Sequence, residues 1–95
     1  MTAYFAARLN VKDPEAMAEY SKNAAPIIAE HGGKLLFKGG ADDILAGTMT
    51  QPNLVLFAFP DKAAIHAFLN SQRDQALTAM REKGADMILS AHEGA

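Results

Sequence analysis

Apolar and polar positions alternate at the start of the chain and then change to a helical spacing. From Tyr4 to Val11, every second side chain is apolar, which predicts a β-strand with one apolar face. Asp13 and Pro14 then supply an N-cap and a first-turn proline, which favour a helix start. After them, apolar positions recur every three or four residues and predict an amphipathic helix. The inward stripe of this helix comprises Met17, Tyr20, Ala24, Ile27, Ile28 and His31.

Glycine and proline residues divide this helix from the strands that follow. Pro26 lies inside the helical stripe and is expected to kink the helix. Gly32 suits the left-handed position that ends a helix, and the apolar stretch 34–38 predicts a short strand. Residues 43–50 also have the pattern of a strand, and residues 51–53 form a turn signal.

The second half of the chain predicts a strand, two helices and a last strand. Residues 54–59 are apolar without interruption, which is typical of a strand buried on both faces. Asp61 favours the start of a helix that continues to the end of the apolar pattern at residue 69. Ser71 and Asp74 resemble a capping box that opens another helix, and residues 86–93 form the final strand.

The order of elements, β-α-β-(β)-β-α-α-β, favours a ferredoxin-like α+β sandwich, with an antiparallel sheet and helices on one face. In that fold, residues 54–59 run antiparallel to residues 34–38. We therefore predict that Gly39 and Gly40 mark a bulge or bend in one long strand, with the reversal at residues 51–53. The second sheet face is also apolar, which predicts that two sheets pack together in a symmetric dimer.

Composition limits the classes of protein to be considered. A chain of 95 residues is expected to form one domain, residues 1–95. A net charge of −2 and a pI near 5.8 exclude the basic surface of a typical nucleic-acid-binding domain. The absence of cysteine excludes disulfides and thiolate chemistry. No apolar run approaches the roughly 18 residues of a membrane span. We therefore predict no nucleic-acid or membrane partner and take a cytoplasmic location as the default expectation.

Several short motifs occur in one order over nearly the whole chain. They are His31-Gly32-Gly33-Lys34, Lys38-Gly39-Gly40, Leu45-Ala46-Gly47, Phe59-Pro60-Asp61, Ser71 with Gln75, Arg81, and Glu93-Gly94. In this order the chain resembles the family called domain of unknown function 1330. The resemblance implies a ferredoxin-like protomer of the dimeric α+β barrel superfamily, which includes cofactor-free monooxygenases and small-ligand binders. It implies no particular reaction.

Two basic side chains near helix ends are the candidates for catalysis. His31 ends the first helix and suits a pocket acid or base, because histidine titrates near neutral pH. Alternatively, it only compensates the helix dipole. Arg81 lies near the end of the last helix and suits bidentate binding of a carboxylate ligand. Alternatively, it pairs with Asp74 or is solvated near the negative end of the dipole.

Tyr20, Lys38 and Phe68 complete the predicted ligand-binding set with His31 and Arg81. Tyr20 lies on an inward helix stripe, where a tyrosine is usually a core residue with its hydroxyl at the rim. We expect a pocket between the sheet and the helices, or in the barrel formed by two protomers. Its predicted lining comprises Tyr20, Phe37, Phe57, Phe68 and Met80, with polar groups from His31 and Arg81.

The sequence predicts neither a metal site nor a cofactor. His31, His66 and His92 match no ligand spacing such as His-x-x-x-His. The first glycine pair ends a helix, whereas phosphate-binding loops precede one. Three functions remain open. They are a homodimeric binder or enzyme acting on a small molecule, a non-catalytic dimeric module whose interior is filled, and, by superfamily analogy, a cofactor-free monooxygenase.

Overall fold

In the described part of the chain, four strands and three helices follow one another in the order β-α-β-β-α-α-β. The computed structural model describes residues 2–71 and 75–94. The elements are β1 (Ala3–Val11), α1 (Pro14–Glu30), β2 (Lys34–Gly40), β3 (Asn53–Phe59), α2 (Lys62–Ser71), α3 (Gln75–Gly84) and β4 (Ala85–Glu93).

The strands form one antiparallel sheet in the order β2-β3-β1-β4. This is the ferredoxin-like α+β arrangement that the sequence predicts. Alternate residues of β1 from Ala3 to Leu9 are buried and face the helices, as the alternation indicates, whereas Val11 at the end of the strand is exposed. The predicted antiparallel pairing of residues 34–38 with 54–59 is also confirmed.

Three aromatic rings form the centre of the core beneath the helices. Phe5 lies with its ring centroid 5.6 Å from that of Phe68 and 6.2 Å from that of Phe59, both edge to face. Phe59 and Phe68 are 2% and 1% exposed. Such pairs contribute about 0.5–1.5 kcal/mol each beyond the burial of apolar area. This cluster packs α2 against β1 and β3.

Side chains and glycines fix both ends of α1. The Asp13 carboxylate accepts hydrogen bonds from the N–H groups of Glu15 and Ala16, each at 3.2 Å. The helix runs through Pro26 to Glu30. Gly32 then takes φ +81°, the left-handed conformation predicted for it.

The segment between β2 and β3 differs from the prediction. Residues 43–50 form no strand and belong to a loop that spans residues 41–52. The loop is closed by a hydrogen bond from the Ala41 N–H to the Pro52 carbonyl at 2.8 Å. Its apolar side chains stay in solvent, with Leu45 92% exposed, and Gly47 takes φ +79°, which interrupts an extended chain.

The prediction that Gly39 and Gly40 mark a bulge or bend in one long strand is wrong, because the strand ends at Gly40 and its bulge lies earlier. Leu35 is opposite Phe57 and Phe37 is opposite Leu56, so Leu36 is the additional residue. The glycine pair simply ends β2, with Gly40 opposite Asn53.

Two further predictions concern the helices. The Asp61 carboxylate accepts from the Ala64 N–H at 2.8 Å, which confirms the predicted start of α2. Ser71 is the last residue of α2 and donates to the Ala67 carbonyl at 3.0 Å. Its predicted capping-box partner, Asp74, lies outside the described residues. In the described part of the chain, no helix is both long enough and apolar enough to span a membrane.

Candidate functional site

A cleft of about 910 Å³ lies between α1 and the side of the sheet that faces the helices. We call it the α1 cleft. Its floor comes from helix-facing residues of all four strands, among them Phe5, Ala7, Leu35, Val55, Phe57 and Leu89. Its opposite wall is α1, and the buried ring of Phe68 from α2 also borders it.

The small side chains of α1 explain why this space is not filled. Ala18, Ser21, Ala25 and Ala29 recur at helical spacing and all line the cleft. These side chains are too short to bridge the distance to the sheet, so the gap between helix and sheet stays open.

Close backbone contact at one end fixes the position of α1. Gly84 at the end of α3 accepts backbone hydrogen bonds from Lys12 at 2.8 Å and Asp13 at 3.1 Å. A Cβ on Gly84 would lie only 2.9 Å from the Met17 nitrogen, so a larger residue would force the two helices apart. The start of α1 is thereby held against α3, and its small residues line the cleft.

The polar side chains of the cleft come from two elements and the start of a third. They are Tyr20, Ser21 and Lys22 on α1, Lys38 on β2 and Asn53 on β3. The rest of the described lining is apolar side chains and glycine, and it includes no aspartate, glutamate or histidine. The cleft therefore combines an apolar interior with hydroxyl, amide and ammonium groups, and its only charged lining groups in the described part of the chain are positive.

The bulge in β2 decides which residue of that strand faces the cleft. Phe37 lies opposite Leu56 after the additional residue Leu36, and alternation resumes with Lys38 opposite Val55. Val55 is in turn opposite Ala7, a buried residue of the helix-facing side. Lys38 therefore lines the cleft, whereas Phe37, which simple alternation would place there, lies on the other face.

Three of the predicted site residues lie together at the cleft, namely Tyr20, Lys38 and Phe68. Phe57 from the predicted lining is there as well, whereas Met80 is not among the lining residues. Sequence reasoning missed Ser21, Lys22 and Asn53. The signal that could have found Ser21 is the row of small residues on α1, which runs beside the apolar stripe.

His31 and Arg81 lie outside the lining of the cleft. His31 Nδ1 is 2.8 Å from the Ile27 carbonyl oxygen, so this nitrogen carries the proton and donates it. Its Nε2 lies 3.4 Å from Ser71 Oγ. Arg81 is half-buried in the last turn of α3. The catalytic roles predicted for both residues stay predictions.

Within residues 2–71 and 75–94, no three histidine, aspartate or glutamate side chains are grouped so that they could hold a metal ion.

The model of the family described as "Domain of unknown function (DUF1330)" matches residues 2–95. The chain belongs to the DUF1330 family. The predicted family resemblance is thus confirmed. No curated protein has significant similarity to this DUF1330 chain.

Solved structures share the fold of this DUF1330 chain at low sequence identity. A protein of unknown function from Rhodopseudomonas palustris aligns with a TM-score of 0.76 and 17% identity, over 99% of this chain and 82% of that one. A dimeric ferredoxin-like protein of unknown function from Jannaschia sp. CCS1 aligns at 0.67 and 19%, over 99% and 100%. SnoaB, a cofactor-independent oxygenase from Streptomyces nogalater, aligns at 0.64 and 14%, over 99% and 93%. At these identities the similarity establishes the fold alone.

The second face of the DUF1330 sheet carries exposed apolar side chains. Leu36, Phe37 and Ile88 are 53%, 49% and 53% exposed. Arg8 lies on the same face, opposite Leu54 on one side and Ile88 on the other. We call this surface the open face. A surface of this kind typically marks a contact with another molecule.

Proposed function

We propose that this protein binds a small, mainly apolar organic molecule in the α1 cleft. The volume and lining of the cleft carry the proposal. A volume of about 910 Å³ falls within the range of roughly 300–1,000 Å³ typical of ligand sites. An apolar interior with a few polar groups, here Tyr20, Ser21, Lys22, Lys38 and Asn53, is also typical of such sites.

An unfilled cleft gives no advantage to a protein whose role is only structural. An unfilled gap beside a core forfeits dispersion contacts and so lowers stability. The row of Ala18, Ser21, Ala25 and Ala29 maintains such a gap along α1. This supports a binding role over the alternative of a dimeric module with a filled interior.

A neutral apolar dye tests the proposal directly. N-phenyl-1-naphthylamine fluoresces more strongly when it leaves water, and we expect it to bind the wild-type protein. Ala25→Trp adds a ring at the cleft and should weaken binding by about tenfold or more. Ala63→Trp, at an exposed position of α2 outside the cleft lining, is the matched control and should bind normally. Absence of dye binding, or equal binding by both variants, would contradict the proposal.

We also propose that the protein is a homodimer in which two sheets pack through their open faces. The apolar character of Leu36, Phe37 and Ile88 supports this, since burying them between two copies removes them from water. The Jannaschia structure, which covers the same length with the same fold, is described as dimeric.

Sedimentation equilibrium tests the dimer. The wild-type protein should sediment as a dimer at micromolar concentration. Ile88→Glu should shift it toward monomer, because a carboxylate at an apolar interface must lose its hydration. His66→Glu, at an exposed position of α2, should leave the dimer intact. A monomeric wild-type protein, or an Ile88→Glu variant that dimerises like wild type, would count against the proposal.

A second candidate function is oxygenation without a bound cofactor. The fold similarity to SnoaB, over 99% of this chain, favours testing it. The test is oxygen consumption with an electron-rich phenol, compared between wild type and Ala25→Trp. Uptake above the protein-free rate that is lost in Ala25→Trp would support oxygenation in the cleft. Equal rates with and without protein would exclude that substrate class.

A further inference from the structure

We infer that the ligand of the α1 cleft is an organic anion whose charged group binds between Lys22 and Lys38, with its apolar body directed toward Phe5, Phe57 and Phe68. The inference rests on the proposed binding function and adds the chemical class of the ligand. An aryl or aliphatic carboxylate, sulfonate or acidic phenol has the required combination of apolar body and anionic group.

The charge distribution at the cleft is the first observation. The protein as a whole carries a formal charge of −2, with 11 acidic and 9 basic residues. Nevertheless, Lys22 and Lys38 both line the cleft, and no acidic residue of the described chain does. The described lining of the cleft thus has two positive side chains and no negative one. These charges attract anions and repel cations, which makes the cleft selective for negative ligands.

The second observation is that neither lysine is in an ion pair within the described residues. The ion pairs there join Lys12 to Asp86 at 3.4 Å and Lys83 to Asp13 at 3.8 Å, both away from the cleft lining. A ligand anion therefore does not have to displace a carboxylate of the described chain to reach either ammonium group.

The third observation is that an irregularity of the backbone directs Lys38 into the cleft. A regular strand would place Lys38 on the same face as Lys34, which is opposite Ala58 on the open face. The additional residue at Leu36 reverses this, so Lys38 lies opposite Val55 on the helix-facing side. Bulges are common beside functional sites, where they redirect a side chain.

The position of the lysines sets the orientation of the ligand. Lys22 and Lys38 are exposed, whereas Phe5 and Phe68 are buried at the core end of the lining. An anion bound at the rim keeps part of its hydration, and its apolar body leaves water completely. Ser21 and Asn53 also line the cleft, and a hydroxyl and a carboxamide are groups of the type that donate to an oxyanion.

Two dyes that differ by one sulfonate test the inference. N-phenyl-1-naphthylamine is neutral, and 1-anilinonaphthalene-8-sulfonate carries the same rings with one negative charge. We expect the wild-type protein to bind the sulfonate about tenfold more tightly at low salt, as two partly exposed charge contacts allow. The preference should fall at 0.5 M salt, where exposed charges are screened within a few ångströms.

Lysine variants test which side chains cause the preference for the anionic dye. Lys22→Met and Lys38→Met keep the aliphatic chain, so each should reduce the preference by about threefold, and the double variant should abolish it. Lys34→Met, on the same strand but on the open face, is the matched control and should retain it. Lys34→Met should also bind the neutral dye like wild type, and urea unfolding of all four variants verifies that they fold.

The outcomes separate the inference from the proposed function. Equal binding of both dyes by wild type would overturn the inference while supporting a cleft that binds apolar molecules. A preference that persists in the double variant would also overturn it. Failure of both dyes to bind would overturn the proposed function itself, and the inference with it. A preference that is lost only with Lys22 or Lys38 supports both.

Discussion

Lys34 and Lys38 lie on opposite faces of the sheet, although residues four apart in a regular strand share a face. The extra residue at Leu36 separates them. As a result, the strand presents Leu36 and Phe37 to the open face and Lys38 to the α1 cleft. The proposed dimer contact and the proposed ligand site thus involve neighbouring residues of one edge strand.

This arrangement predicts opposite phenotypes for two adjacent residues. Phe37→Glu should weaken the dimer, because it places a carboxylate on the apolar open face, and should leave N-phenyl-1-naphthylamine binding unchanged. Lys38→Glu should lower affinity for the anionic dye and leave the dimer intact. Sedimentation and dye titration of both variants check this. If the strand were regular, the two phenotypes would be exchanged, and that result would contradict the bulge at Leu36.

The N-cap of α1 predicts a graded loss of stability. Asp13→Ala removes the acceptor for the Glu15 and Ala16 N–H groups and should lower the free energy of unfolding by about 0.5–2 kcal/mol. Asp13→Asn keeps an acceptor oxygen and should retain most of that stability. The distant contact to Lys83, at 3.8 Å and exposed, should contribute little. Urea unfolding of both variants measures the difference, and equal losses would show that the charge, not the cap, is what matters.

The residues that predict the two ends of α1 in the sequence also form those ends in the structure. Asp13, Pro14 and Gly32 act within a few residues of their own position, so the sequence is sufficient to place both ends of the helix. Residues 43–50 lack such a determinant. Their apolar side chains suggest a strand, but a strand also needs a neighbouring strand with which to form backbone hydrogen bonds. The pairing of β2 with β3 ends at Gly40 and Asn53, before this segment.

The cleft was harder to predict because it depends on distances between elements. Tyr20 and Phe68 could be selected because apolar stripes mark the inner faces of helices. Lys22 lies beside that stripe, and only the separation of α1 from the sheet makes it a lining residue. The face of Lys38 depends on where the bulge lies. Gly39 and Gly40 suggested one position for the bulge, whereas the pairing with β3 places it at Leu36.

The position of His31 and Arg81 predicts that the α1 cleft binds its ligand without them. His31→Ala removes a hydrogen bond to the Ile27 carbonyl and should reduce stability by about 1 kcal/mol or less, with dye affinity unchanged. Arg81→Ala should likewise leave affinity unchanged, since Arg81 does not line the cleft. Dye titration of both variants is the measurement, with Ala25→Trp as the positive control. A large loss of affinity in either variant would assign it a binding role that the geometry does not explain.

Gly33 predicts a steric limit at the junction of α1, β2 and β3. A Cβ at this position would lie 2.5 Å from Ile28 Cγ2 and 2.7 Å from the tip of the Phe59 ring, and both side chains belong to the buried core. Gly33→Ala should therefore lower the free energy of unfolding by about 1–3 kcal/mol, the usual cost of overpacking. Gly94→Ala is the control, because nothing lies within 4 Å of its Cβ. Urea unfolding should show a loss of stability in the first variant and none in the second. If Gly33→Ala unfolded at the wild-type urea concentration, Ile28 and Phe59 would be able to move apart without loss of stability. That result would contradict the close packing of α1 against the sheet at this end.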